Sequence, residues 1–150
     1  MTIQYRKILV PLDGSELAEA AVAHVMYLAP LSGADALLLQ VVRRVVDVIG
    51  PVQDRASIDE QWDVLRAHAV AYLTAVSRRA GWGSTRVRVA VETGAAAEMI
   101  LGIAAREQIN LVALATHGLS GVQRWMLGSV TEKVVLAASM LVLVIRVTSR

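Results

Sequence analysis

Five short runs of aliphatic residues, separated by four stretches of helical character, constrain this chain more than any other feature. Lys7-Ile-Leu-Val-Pro-Leu12, Ala36 to Val42, Thr85 to Val91, Leu111 to Ala115 and Leu141 to Val147 all have strand length. Most are continuously apolar, the pattern of a strand covered on both faces. In Thr85 to Val91, Arg86, Arg88 and Ala90 alternate with Val87, Val89 and Val91, which points to a strand near a sheet edge. After the first run, Asp13-Gly-Ser15 forms a turn and an N-cap, with Glu16 and Glu19 in the first helical turns. This alanine-rich helix runs to about Leu31, and Gly33 is placed to end it in the left-handed conformation.

Gly50-Pro51 marks a loop, and Ser57-Ile-Asp-Glu60 reads as a capping box opening a second helix. Its Ile58, Trp62, Leu65, Ala69, Tyr72 and Val76 share one face, and Gly81 and Gly83 stop it. Ala95 to Glu107 is a third helix with Ile100, Ile103 and Ala104 inward, and about Val130 to Ala138 a fourth. The order βαβαβαβαβ implies parallel strands joined by right-handed crossovers, hence one α/β doubly wound domain over residues 1–150.

Composition narrows the class. The 150 residues are 55% hydrophobic and 19% charged, with a mean hydropathy of +0.52. The longest apolar candidate for a membrane span, Val134 to Ile145, already contains Ser139 and falls short of the roughly 20 residues needed. Met1 to Lys7 has no apolar stretch behind a basic region, so no secretory signal is expected and a cytoplasmic location is. Cysteine is absent, which excludes disulfides, thiolate nucleophiles and cysteine-ligated metals. The net charge of +2 is a poor basis for nucleic-acid binding, and the densest basic stretch, Arg78, Arg79, Arg86 and Arg88, reads as a solvated surface.

In a doubly wound sheet, ligands bind beyond the carboxyl ends of the strands, where the strand order reverses. Asp13, Val41-Val42 and the segment from Thr116 end there, and the last is glycine-rich: Gly118, Gly121 and Gly128, with Ser129 and Thr131 following. Glycines and a helix N-terminus together suit an anion such as phosphate. Plainer readings stand beside this one. Ser129-Val-Thr-Glu132 is itself a capping box, Asp13-Gly14 a turn, and His117 a loop histidine without a catalytic partner. His24 and His68 are expected to face solvent, and Trp125 to pack under its loop or at a partner surface. The Walker, Gly-x-Gly-x-x-Gly and Gly-x-Ser-x-Gly patterns are all missing.

These residues resemble the universal stress protein family, in its small single-domain ATP-binding type. The resemblance rests on Lys7-Ile-Leu-Val-Pro-Leu-Asp-Gly-Ser15, the late glycine loop and Leu141-Val-Leu-Val-Ile145. Nucleotide-binding members carry Gly-x2-Gly-x9-Gly-Ser/Thr; here Ala115-Thr-His-Gly118 is followed, after nine intervening residues, by Gly128-Ser129. The resemblance implies an open five-stranded parallel sheet of order 3-2-1-4-5 with helices on both faces, the adenine nucleotide alpha hydrolase-like arrangement. It also implies ATP, with Mg2+ or Mn2+, held by Pro11, Asp13, Val41, Ala115, Gly118, Gly128, Ser129, Val130 and Thr131. Asp13 and Val41 would hold adenine; the glycine loop and helix start would hold ribose and phosphates. A homodimer through the last strand, Leu141 to Ile145, is implied as well.

Three positions depart from the family pattern. Ala115 replaces the first motif glycine, Ser139-Met140 replaces a Cys/Ser-Pro pair, and Asn110 replaces an aspartate, a change expected to be without consequence. The expected function is a regulatory, stress-response ATP-binding module with at most slow hydrolysis, and no catalytic residues are assigned. The alternative is a nucleotide-free member acting through protein contacts. The His-x-Gly-His motif of nucleotidyltransferases and the Ser-Gly-Gly-x-Asp loop of pyrophosphatases are absent, and a receiver domain lacks its acidic pair and its lysine.

Overall fold

A computed structural model describes residues 4–43, 55–79, 81–118 and 127–148. The first aliphatic run becomes strand β1 (Lys7–Pro11), and Ser15 then caps helix α1 (Glu16–Ser32), its Oγ accepting the Ala18 N–H at 3.1 Å. Gly33 ends α1 at φ 68°, the left-handed cap that its sequence position suggests. Strand β2 (Asp35–Val42), helix α2 (Arg55–Ser77), strand β3 (Val87–Thr93), helix α3 (Ala96–Arg106), strand β4 (Leu111–His117), helix α4 (Ser129–Ala137) and strand β5 (Leu141–Val147) complete the chain. All pairings are parallel and the order is β3-β2-β1-β4-β5.

Helices cover both faces, so the inner strands are apolar on both sides. On one face α1 and α2 bury Ile8, Val10, Leu38 and Ala113 with Val25, Leu73 and Val76. On the other, α3 and α4 bury Leu9, Leu39 and Val112 with Ile100, Ile103 and Val134. Each fully buried Leu, Ile or Val contributes about 1.5–3 kcal/mol relative to exposure. None of the described helices is long and apolar enough to cross a membrane.

Three local expectations change. Helix α2 begins at Arg55, so Ser57 lies inside it rather than at its cap. Its expected apolar face is covered unevenly: Ala69 and Val76 are buried, Ile58, Trp62 and Tyr72 are half-buried, and Leu65 is exposed. Strand β3 runs two residues later than the alternation indicates. Its ladder with β2 continues through Val41↔Glu92 and Val42↔Thr93, while Thr85 donates its N–H back to the Trp82 carbonyl in a turn. The Gly50-Pro51 loop, Gly121 and Trp125 lie outside the described residues.

Asn110 has a defined role at the base of the sheet. Its Oδ1 accepts the N–H groups of Arg6 and Lys7, both at 2.8 Å, and its own N–H reaches the Lys7 carbonyl at 3.0 Å. An aspartate would accept the same two bonds, so the replacement preserves the bridge between β1 and β4. Losing the acceptor would not. Asn110→Leu should cost about 1 kcal/mol, since the Lys7 donor is part-buried while the exposed Arg6 donor can turn to water, and Asn110→Asp should be far milder; chemical denaturation of both variants reads the difference.

Helices α1 and α2 are clasped by Glu19, which accepts hydrogen bonds from Arg79 and from the Tyr72 hydroxyl. The Arg79 hydrogen bond outweighs partial burial and, with Tyr72, holds the Glu19 carboxyl below its ordinary value of 4.5. Burial and the same Glu19 contact push the Tyr72 hydroxyl up. Because the Glu19 carboxyl titrates lower in the folded state, its contribution is complete above the ordinary carboxylate range and disappears as pH falls through the lowered value. Denaturation midpoints between pH 7 and pH 3 should therefore fall less steeply for Glu19→Gln than for the parent protein; parallel profiles would contradict the clasp.

Candidate functional site

A crevice opens where β1 and β4 part. The two strands are in register only at Ile8↔Leu111 and Leu9↔Val112. Beyond that, β1 stays with β2 to Pro11↔Leu39, and β4 stays with β5 to His117↔Val147. This is the reversal point of the 3-2-1-4-5 order, where a doubly wound sheet leaves room for a ligand. Pro11 suits the parting. The even residues of β1 bond toward β2, as Leu12 donates to the Leu39 carbonyl, and the odd ones face β4, as Lys7 accepts from Asn110. Pro11 is odd, so the position facing the departing strand has no N–H to leave unpaired.

The crevice holds a cavity of about 140 Å³. Pro11, Leu12 and Asp13 at the end of β1 form one wall with Ala18 of α1, and Val41 of β2 lies beside them. Leu114 and Ala115 of β4, Ala96 and Ile100 of α3, and Val130 and Thr131 of α4 close the rest. Six of the nine site residues expected from sequence thus share one cavity: Pro11, Asp13, Val41, Ala115, Val130 and Thr131. Gly118, Gly128 and Ser129 do not line it; they stand at the end of β4 and the start of α4. Sequence reading missed Ala96 and Ile100, although α3 starts directly after the carboxyl end of β3 and its first turns belong above the crevice.

Asp13 is exposed, and its Oδ1 accepts the Ser15 N–H at 2.9 Å and the Ser15 hydroxyl at 2.6 Å. The turn-forming role is therefore real, yet it uses one carboxylate oxygen; Oδ2 makes no hydrogen bond among the described residues. Ser15 is fully engaged, donating to Asp13 and accepting from Ala18. His117 is exposed at the end of β4, and His24 and His68 face solvent as expected. Among the described residues, no group of three His, Asp or Glu side chains could hold a metal ion. The basic stretch is surface: Arg79 pairs with Glu19, Arg88 with Glu107 at 3.0 Å, and Arg86 with Asp35 at 3.9 Å.

The capping box expected at Ser129 does not form. Gly128 is the N-cap, Ser129 is the first helical residue, and no side chain among the described residues caps the helix. Helix α3 likewise starts behind Ala95 without a side-chain cap. Two helix starts at the crevice therefore leave first-turn amides uncapped, whereas α1 uses Ser15. Thr131, only 5% exposed, lines the cavity with its hydroxyl unpaired among the described residues.

The two motif glycines are there for different reasons. A Cβ on Gly118 would lie 2.7 Å from Thr148 Cγ2 and 3.3 Å from the Val147 carbonyl, whose oxygen accepts the Gly118 N–H at 2.7 Å. Gly118 is thus pressed against the end of β5. Gly128 sits at φ −60°, ordinary for any residue, and an added Cβ would meet only Thr116 Oγ1, at 3.6 Å, among the described residues. The packing of the described residues around Gly128 does not require a glycine.

Comparison with known proteins agrees with this architecture. A model of the universal stress protein family matches residues 4–146. A universal stress protein of Thermus aquaticus is 32% identical over 145 residues, covering 95% of this chain and 99% of that protein. A solved structure of protein MJ0577 of Methanocaldococcus jannaschii superposes with a TM-score of 0.82 at 27% identity, covering 99% of this chain and 100% of the other. More distant structures share the fold: a universal stress protein in complex with cAMP (21% identity, TM-score 0.71, 96% and 98% covered) and one from Archaeoglobus fulgidus in complex with dAMP (15%, 0.62, 95% and 99%). The fold, the crevice and the full-length family match lead to one conclusion: this chain belongs to the universal stress protein family.

Proposed function

We propose that the crevice between β1 and β4 binds an adenine nucleotide, ATP foremost, and that the protein is a cytoplasmic, regulatory nucleotide-binding module of the stress response. The observation that carries this reading is Gly128. It stands at the start of α4, uncapped and under no demand for a glycine among the described residues, and a missing side chain there lets a ligand approach the helix amides. The two nucleotides seen with distant relatives, cAMP and dAMP, share an adenine and a phosphate. The cavity and the helix start beside it have groups suited to both. The free Oδ2 of Asp13 accepts from the adenine amino group, and the backbone of Val41 reads the ring edge while Pro11 packs against it. Ala115 and Gly118 border the ribose. Gly128, Ser129, Val130 and Thr131 take the phosphates, where the helix dipole favours negative charge.

Mg2+ or Mn2+ would enter with the phosphates, since the described side chains supply no metal cluster of their own. Fast turnover does not fit. Phosphoryl transfer needs a positioned base or water-orienting group, and Ser15 and Asp13 Oδ1 are occupied with one another. Ala115 puts a methyl where the motif has a glycine, and it narrows the ribose side. A nucleotide-free protein acting through partner contacts is the competing reading, and titration decides between them. Calorimetry with ATP and magnesium should give micromolar binding. Gly128→Ala should weaken it at least about tenfold while costing no more than about 1 kcal/mol of stability. Gly118→Ala should instead lose about 1–3 kcal/mol through its clash with β5. Absence of heat with the parent protein would favour the nucleotide-free reading.

The edge strand β5 supports a homodimer. Leu141 is 55% exposed, and Leu136, near the end of α4, is 79% exposed. A parallel sheet that ends in an apolar edge invites pairing with another strand, and Leu141 to Ile145 would form the seam. Light scattering should give a dimer mass, and Val144→Lys should give a monomer mass; a monomeric parent protein would refute the seam.

A further inference from the structure

Thr116 is the sixth residue of β4 and only 5% exposed. Strand alternation puts it on the face of Val112 and Leu114, which pack against α3 and α4. A hydroxyl in that aliphatic row needs a partner, and it has one. Its Oγ1 accepts the N–H of Gly128 at 3.2 Å, joining residues twelve apart in sequence. The Gly128 carbonyl in turn accepts the Glu132 N–H at 2.8 Å. The N-cap residue is therefore held from both sides, its N–H by β4 and its carbonyl by the first turn of α4. Neither bond uses the amides of Ser129, Val130 or Thr131, and no side chain among the described residues caps them.

We infer that Thr116 is a positioning residue: its hydroxyl fixes the start of α4 against β4, so that the amides of Ser129 to Thr131 are presented to the crevice ready for a phosphate. This rests on the nucleotide reading above and adds to it the element that orients the anion site. The residue does not touch the ligand. It acts through Gly128, and its effect therefore falls on phosphate recognition and not on recognition of the base.

Three full-length proteins test this: the parent, Thr116→Val, which keeps shape but removes the acceptor, and Thr116→Ser, which keeps the acceptor. Each is titrated with ATP and with adenosine. Thr116→Val should lose about tenfold in ATP affinity and stay within about twofold for adenosine, the size expected of one hydrogen bond. Thr116→Ser should restore the parental ratio. In amide exchange by NMR, the Gly128 N–H should exchange faster in Thr116→Val than in the parent protein. A parental ATP-to-adenosine ratio in Thr116→Val overturns the inference whatever that variant's stability, and so does unchanged Gly128 exchange. If the parent protein binds neither ligand, the nucleotide reading itself fails, and the phosphate role fails with it.

Discussion

Everything at the crevice depends on how briefly β1 and β4 pair. Two register positions, Ile8↔Leu111 and Leu9↔Val112, hold the centre of the sheet together, and all four residues are buried. Below them Asn110 ties the strand starts with two hydrogen bonds; above them each strand follows its outer neighbour and they separate. The seam is a wedge, closed at the base and open at the carboxyl ends. Parallel ladders on either side make the opening tolerable, because the outer strands remain fully paired and Pro11 carries no N–H toward the gap. The first turns of α1, α3 and α4 border the wedge, because each helix follows the carboxyl end of a strand in sequence.

Hydroxyls and glycines divide the work around the opening. Ser15 is consumed by the fold, capping α1 and bonding Asp13. Thr116 is consumed in the same sense, holding Gly128. Thr131 and the amides ahead of it are not. Of the two motif glycines, Gly118 is demanded by Thr148 and Val147, and Gly128 by nothing the described chain contains. Polar capacity that the protein leaves unused, beside a cavity with aliphatic walls, is the physical profile of a small-molecule site. The same sheet presents β5 as an apolar edge, so site and proposed seam adjoin through the Gly118–Val147 contact.

Much of this was legible in sequence for identifiable reasons. Continuous aliphatic runs revealed the buried strands, and alternation revealed β3 at an edge, because burial on one or two faces leaves a direct imprint on residue type. Asp13, Val41 and the β4–α4 segment follow aliphatic runs directly, so sequence alone places them at the carboxyl ends of strands. The failures were equally physical. Ser-x-x-Glu spacing suggested caps at Ser57 and Ser129, but α2 starts earlier and Gly128 takes the cap of α4, since nothing in that spacing distinguishes an N-cap from a first-turn position. The α3 wall, Ala96 and Ile100, was hidden because small and aliphatic residues look alike in a core and in a cavity lining. Asn110 and Thr116 matter through hydrogen bonds to backbone 103 and 12 residues away, which no local pattern encodes.

The central claim is that the wedge between β1 and β4, with the uncapped start of α4, is where a nucleotide sits. An NMR titration of isotope-labelled protein with ATP follows every backbone amide at once. The account predicts saturable shifts concentrated at Asp13, Val41, Ala115 and Ser129 to Thr131, with β3 amides such as Arg88 unmoved. A spectrum that does not change, or shifts confined to α2 or to the β5 edge, would contradict it.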